Sequence, residues 1–151
     1  QFHERLEKAF ELEADLDIFD WQEQDQKLGQ AFLDSRFNSL EPLYVEQSLE
    51  FELGGTVVVC KLDAVYQTDD GFEVVDWKSG SSPKSKAEVA SKAVQLALYR
   101  IGLSRWLGVG VERVNASFFF AGDAKEMSPE VPSEKELVEK LRAFRKAPLR
   151  F

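Results

Sequence analysis

Phe72-Glu73-Val74-Val75-Asp76-Trp77-Lys78-Ser79-Gly80 reads as an apolar strand that ends in charge and then breaks at a glycine. Side chains two apart on a strand share a face, so Asp76 and Lys78 project together while Trp77 points the other way, into a core. Upstream lies a second strand, Thr56 to Tyr66, rich in β-branched residues and carrying one acid in Cys60-Lys61-Leu62-Asp63-Ala64-Val65-Tyr66. Asp69-Asp70-Gly71 is a turn signal between the two. If that turn joins them, Asp63 and Asp76, separated by 76 − 63 = 13 positions, come level across the ladder. Two carboxylates and an ammonium would then share one surface.

Working outward, Leu43 to Leu53 alternates in part, and Gly54-Gly55 supplies a hairpin turn into Thr56. Three strands thus form a meander. Ser81-Ser82-Pro83-Lys84-Ser85 is a polar loop before a long patterned helix from Ala87 to about Leu107. A fourth strand covers Val111 to Ala121, a loop runs from Gly122 to Pro132, and Ser133 with Glu136 forms a capping box for a last helix to about Arg145. Before all of this, apolar residues at helical spacing predict helices over Phe2 to Leu12 and Trp21 to Phe37. The order α-α-β-β-β-α-β-α suits an α/β fold with one central four-stranded mixed sheet flanked by helices, residues 1–151 forming a single domain.

The chemistry that calls for such a charge group is phosphodiester hydrolysis. There Mg²⁺ or Mn²⁺ polarises the phosphate, lowers the pKa of a bound water and offsets charge on the leaving oxygen. Carboxylates are the hard oxygen ligands such an ion takes. The main-chain carbonyl of Trp77 is a further oxygen beside them, and Lys78 is placed to orient water or to stabilise the phosphate. The plainer reading of Asp-x-Lys is a structural or surface ion pair. Its setting argues for the sharper one, since it closes an apolar strand, follows an Asp-bearing strand and precedes a glycine-marked loop and helix.

Val74-Val75-Asp76-Trp77-Lys78-Ser79-Gly80 resembles the apolar-apolar-Asp-aromatic-Lys-Thr-Gly motif of the PD-(D/E)XK nucleases of the RecB type, with Ser79 at the usual Thr. The likeness is greatest to those fused to UvrD-like helicases in the AddAB and AdnAB machines. Lys61-Leu62-Asp63 resembles the upstream Gly-x-x-Asp motif, with Cys60 at the position often held by Gly, and Gln95-Leu96-Ala97-Leu98-Tyr99 fits the Gln-x-x-x-Tyr motif. Phe2-His3-Glu4-Arg5-Leu6-Glu7 is similar to the helix with a metal-binding His. The resemblance implies a restriction-endonuclease-like core and a Mg²⁺- or Mn²⁺-dependent, exonuclease-like deoxyribonuclease. It makes Asp63, Asp76 and Lys78 catalytic and gives the metal His3, Asp63, Asp76 and the Trp77 carbonyl. Gln95 and Tyr99 would support the site beside DNA. Glu46 stands where relatives often carry an acid and receives no role.

The same resemblance implies a module for DNA recombination and repair, fed single-stranded DNA by a fused helicase motor. The chain begins inside a helix with no initiating Met, which reads as a piece of a larger protein, its C-terminal part. Nineteen Lys and Arg against 27 Asp and Glu leave a net charge of −8, which argues against holding nucleic acid mainly by non-specific charge. An acidic nuclease fits if another part of the machine grips the DNA. Cys60 is the only cysteine, which excludes a disulfide framework, a four-cysteine zinc site and a cysteine-held iron–sulfur cluster within this chain. A reducing, cytoplasmic home is expected, with no membrane partner because no apolar run approaches spanning length.

Other features have plain explanations. Phe118-Phe119-Phe120 reads as strand packing rather than base stacking, and Glu134 to Lys140 as a solvated helix face. Lys84, Lys86, Lys92, Arg100 and Arg105 are either a basic strip or a solvated face. His3 is either a ligand or a residue on a frayed end. Two functional classes stay open. One is an active nuclease, and the other is a catalytically inactive nuclease fold serving as a DNA channel or a subunit-assembly element. Retention of Asp63, Asp76 and Lys78 favours the first. A stand-alone restriction or recombination nuclease would need sequence-reading elements that are not found.

Overall fold

The computed structural model describes residues 23–142 and 148–151. The expected first helix and His3 lie outside them. Helix α1 spans Glu23–Leu33 and is followed by a 3-10 turn, Arg36–Ser39, so the expected Trp21 to Phe37 helix divides into two pieces. The meander is as expected, with β1 at Tyr44–Leu53, β2 at Thr56–Gln67 and β3 at Phe72–Lys78, all antiparallel neighbours. Helix α2, Lys86–Leu107, then crosses over the sheet and returns the chain as β4, Val114–Phe120, parallel to β3. A crossover helix is what parallel pairing requires, because no tight turn can reverse the chain twice. The expected start of β4 at Val111 is instead a short 3-10 turn, Val111–Arg113.

Two short strands lie outside the expected four and extend the sheet to six. Strand β5, Lys125–Met127, pairs antiparallel with β4 inside the stretch read as a loop. After helix α3, Glu134–Leu141, which starts at the expected Ser133–Glu136 capping box, strand β6 at Leu149–Arg150 lies parallel to Val58 and Val59 of β2. It pairs with that half of β2 because β3 follows β2 only over Ala64 to Gln67.

The sheet is covered on both faces. Helix α2 packs on Leu62, Val65, Val74, Phe118 and Phe120 through Leu96, Tyr99 and Leu103. The opposite face carries Ala64, Tyr66, Val75, Trp77 and Phe119 under Leu28, Phe32 and Phe37. The three phenylalanines of β4 therefore serve both cores by alternation. Each is 1% exposed or less, worth on the order of 1.5–3 kcal/mol of burial apiece. Alternation slips once. Leu62 and Val65 face α2 while Ala64 faces away, so the phase changes around Asp63.

Candidate active site

The register of two hairpins brings the acids together. Leu53 pairs with Thr56 across Gly54 and Gly55, whose φ values of 58° and 83° are those of a two-residue turn that favours glycine. That register pairs Val45 with Ala64 and Gln47 with Leu62, so Glu46 stands across from Asp63. On the other side Ala64 pairs with Val75, so the next position along sets Asp63 beside Asp76. Asp76 in turn pairs with Phe118. Glu46, Asp63 and Asp76 thus occupy one row across three strands. Glu46 has a left-handed backbone, φ 51°, which interrupts the ladder where the alternation of β2 slips.

The Trp77 N–H donates to Asp63 Oδ2 at 2.7 Å, and the two aspartate carboxyl groups lie within hydrogen-bonding reach of each other. Burial, and next the charge of Asp76, push the Asp63 carboxyl from an ordinary 3.8 up to about 8, against the opposing pull of the Trp77 N–H. Glu46 adds a smaller upward push. Asp76 is 4% exposed, and its Oδ2 is buried with no hydrogen-bond partner. Lys78 Nζ lies 2.9 Å from that oxygen, a close ion pair whose angles fall outside hydrogen bonding. The lysine also reaches Gln95 Oε1 at 3.4 Å, and the Gln95 amide donates to the Tyr99 hydroxyl at 2.6 Å. Burial and then the nearby Asp76 charge keep that phenol protonated, well above its usual range. Asp76, Lys78, Gln95 and Tyr99 form one chain of contacts from sheet to helix.

A cavity of about 320 Å³ opens over this group, bounded by Asp63, Asp76, Lys78 and the Ser79–Ser81 loop. Trp77 also lines it. Its indole is packed on the far face, in edge contact with Phe37 at 5.1 Å and Phe32 at 5.6 Å, so Trp77 turns its main chain to the cavity. The donors present suit a hard divalent cation. Two juxtaposed carboxyl groups share a single lysine, Lys78, and one of their oxygens is buried without a hydrogen bond, which leaves room for the further positive charge that a cation supplies. Among the described residues no three His, Cys, Asp or Glu side chains converge as a metal-holding group. Glu46 accordingly stands off, its carboxylate 2.7 Å from Lys61 Nζ. Cys60 is inert, its thiol pushed up to about 12 by burial.

The structure thus brings together Asp63, Asp76, Lys78, Gln95 and Tyr99, while His3 lies outside the described residues. Sequence reasoning left Glu46 without a place. The Gly54-Gly55 turn was the signal, since counting back from it sets Glu46 against Asp63. Of the basic candidates, Arg100 is used internally, donating to the Val114 and Val111 carbonyls at 2.6 and 3.0 Å. Arg105 donates to the Glu52 carbonyl and pairs with Glu134 at 2.9 Å. No five-residue basic strip remains.

A protein-family model described as the PD-(D/E)XK nuclease superfamily matches residues 2–149. The chain belongs to the PD-(D/E)XK nuclease superfamily. Members are in general phosphodiester-hydrolysing nucleases that typically use divalent metals such as Mg²⁺, and the sheet with its flanking helices is consistent with their restriction-endonuclease-like fold. A search of curated proteins finds no match. No helix of the described residues is long and apolar enough to cross a membrane.

Proposed function

We propose that this PD-(D/E)XK chain is an active Mg²⁺- or Mn²⁺-dependent deoxyribonuclease domain of the RecB type, exonuclease-like, spanning residues 1–151. The observation that carries it is the buried Asp63–Asp76 pair, with an unbonded carboxylate oxygen beside the Lys78 ammonium at one cavity. Asp63 and Asp76 hold the cation, with the Trp77 carbonyl and His3 as further ligands. The ion supplies an activated water and charge neutralisation on the phosphate.

The chain's own groups do the rest. Trp77 N–H fixes the Asp63 carboxylate, so this ligand is oriented before substrate arrives. Burial and the Asp76 charge favour the protonated form of Asp63, and a cation held there would displace that proton. Lys78, steered by Gln95, which Tyr99 anchors, presents Nζ–H to a phosphate oxygen or to the attacking water. The resemblance of Val74 to Gly80 to helicase-linked relatives supports a place in DNA recombination and repair. There a fused UvrD-like motor would deliver single-stranded DNA to this cytoplasmic C-terminal domain. Delivery by a motor accounts for a nuclease with a net charge of −8.

Cleavage of labelled single-stranded DNA tests the proposal. Mn²⁺ is expected to switch cutting on, a chelator to switch it off, and Asp63→Asn to abolish it with folding intact. Wild-type protein that binds DNA but never cuts under any divalent metal would point instead to an inactive channel or assembly element.

A further inference from the structure

Two features of the cavity are left over by hydrolysis at Asp63 and Asp76. The first is Lys92. It lies one turn before Gln95 on α2, lines the same cavity half-buried, and sets Nζ 6.0 Å from the ring centroid of Phe120. No carboxylate lies within ion-pair distance of it among the described residues, whereas Lys78 is already engaged by Asp76 and Gln95. In a chain of net charge −8, a lysine left without a carboxylate at this cavity is a place for an anion.

The second is the loop after Lys78, which is fastened although it belongs to no helix or strand. Ala121 N–H donates to the Lys78 carbonyl at 2.8 Å and Gly122 N–H to the Gly80 carbonyl at 3.0 Å. Ser82 donates to the Asp123 carboxylate from its hydroxyl at 2.6 Å and from its N–H at 3.1 and 3.2 Å. Gly122 seats so closely that a Cβ there would lie 2.6 Å from the Gly80 carbonyl carbon. The end of β4 thus clamps Ser79–Ser81 as one wall of the cavity. The cavity, about 320 Å³, extends from the two carboxylates along this wall to Lys92.

We propose that Lys92 and the clamped Ser79–Ser81 wall form a second phosphate subsite, which takes the phosphodiester neighbouring the one that is cut, with Asp123 as its positioning residue. This rests on the nuclease reading. A strand whose scissile phosphate sits at Asp63 and Asp76 brings its next phosphate into the same cavity, where Lys92 supplies the charge and the fastened loop supplies the shape. Seating that phosphate fixes which bond reaches the carboxylates.

The test is the salt dependence of binding to a labelled single-stranded oligonucleotide, with Ca²⁺ so that no cutting intervenes. Lys92→Ala is expected to weaken binding and to make the slope of log affinity against log salt shallower by about 0.7, the loss of one phosphate contact on a single strand. Lys92→Arg should keep both. Asp123→Ala removes a negative charge, which by itself would tighten DNA. It is expected to weaken binding several-fold with the slope unchanged, and Asp123→Asn, which keeps an acceptor for Ser82, should restore most of it. Melting curves show that each variant is folded. Unchanged affinity and slope in Lys92→Ala, tighter binding in Asp123→Ala, or a wild type with no salt-dependent binding would each overturn the subsite. Cleavage with Mn²⁺, measured separately, separates the failures. Cutting with unaffected variants overturns the subsite alone, and the predicted slope loss in a protein that never cuts overturns the nuclease reading.

Discussion

Asp76→Ala is expected to lower Mn²⁺-dependent cleavage by orders of magnitude while leaving the metal-free melting temperature unchanged or higher. The first effect follows from loss of one of two anionic ligands, which takes charge compensation and geometry from the cation together. The second follows from repulsion. The Asp76 charge is the largest cause after burial of the raised Asp63 pKa, so its removal relieves that repulsion along with the contact between the two carboxyl groups. Lys78 keeps Gln95 and, at 31% exposure of its side chain, water. A structural ion pair predicts the reverse, because removing one partner of a buried pair costs roughly 3–5 kcal/mol. The pH dependence has a definite sign. A carboxyl whose folded pKa is raised from 3.8 to about 8 contributes most to stability when protonated, so metal-free wild type loses stability as pH rises between these values. Asp76→Ala should flatten that fall. Thermal melts across pH without metal, beside cleavage assays with Mn²⁺, read both effects. Retained cleavage with a sharply lowered melting temperature would mean the pair is structural.

The largest expected loss of stability is at Phe37, outside the site. Phe37 is 0% exposed and sits at ring-centroid distances of 5.1 Å from Trp77, 5.4 Å from Tyr66 and 5.9 Å from Phe119. It joins the 3-10 turn after α1 to three residues of the sheet. Phe37→Ala should cost about 3–5 kcal/mol, the transfer of the ring plus the cavity it leaves. At about 2–4 °C per kcal/mol for a domain of this size, the melting temperature falls by roughly 6–20 °C. Because Trp77 is the residue whose N–H holds Asp63, this core also backs the candidate site. A loss under about 1 kcal/mol in a denaturant titration would show that the ring is not integral to the core.

What the sequence disclosed was governed by local periodicity. Val74 and Val75 ahead of Asp76-Trp77-Lys78 are enough to place a strand, its two faces and its end, and the structure puts Trp77 in one core and Asp76 with Lys78 on the opposite face. Gln95 and Tyr99 were legible through their resemblance to the Gln-x-x-x-Tyr motif, whose members share a helix face because they are four apart. The rest depends on partners distant in sequence. Lys125-Glu126-Met127 and Leu149-Arg150 carry no strand pattern and pair only because β4 and β2 offer edges to them. The phase slip at Asp63 falls where left-handed Glu46 stands across on the neighbouring strand, a pairing no local pattern shows. Arg100 and Arg105 look like solvent-facing cations until the carbonyls of Val111, Val114 and Glu52 arrive beside them. Asp123 sits in what reads as an ordinary loop, and only the fold shows that it holds Ser82.

The central claim is that Asp63 and Asp76 hold one divalent cation between them. Anomalous diffraction from crystals grown with Mn²⁺ tests it most directly. One strong peak touching carboxylate oxygens of both residues, with Lys78 Nζ nearby and not coordinating, is the predicted result. Mn²⁺ bound elsewhere, or the two carboxylates turned apart with no ion between them, would contradict it.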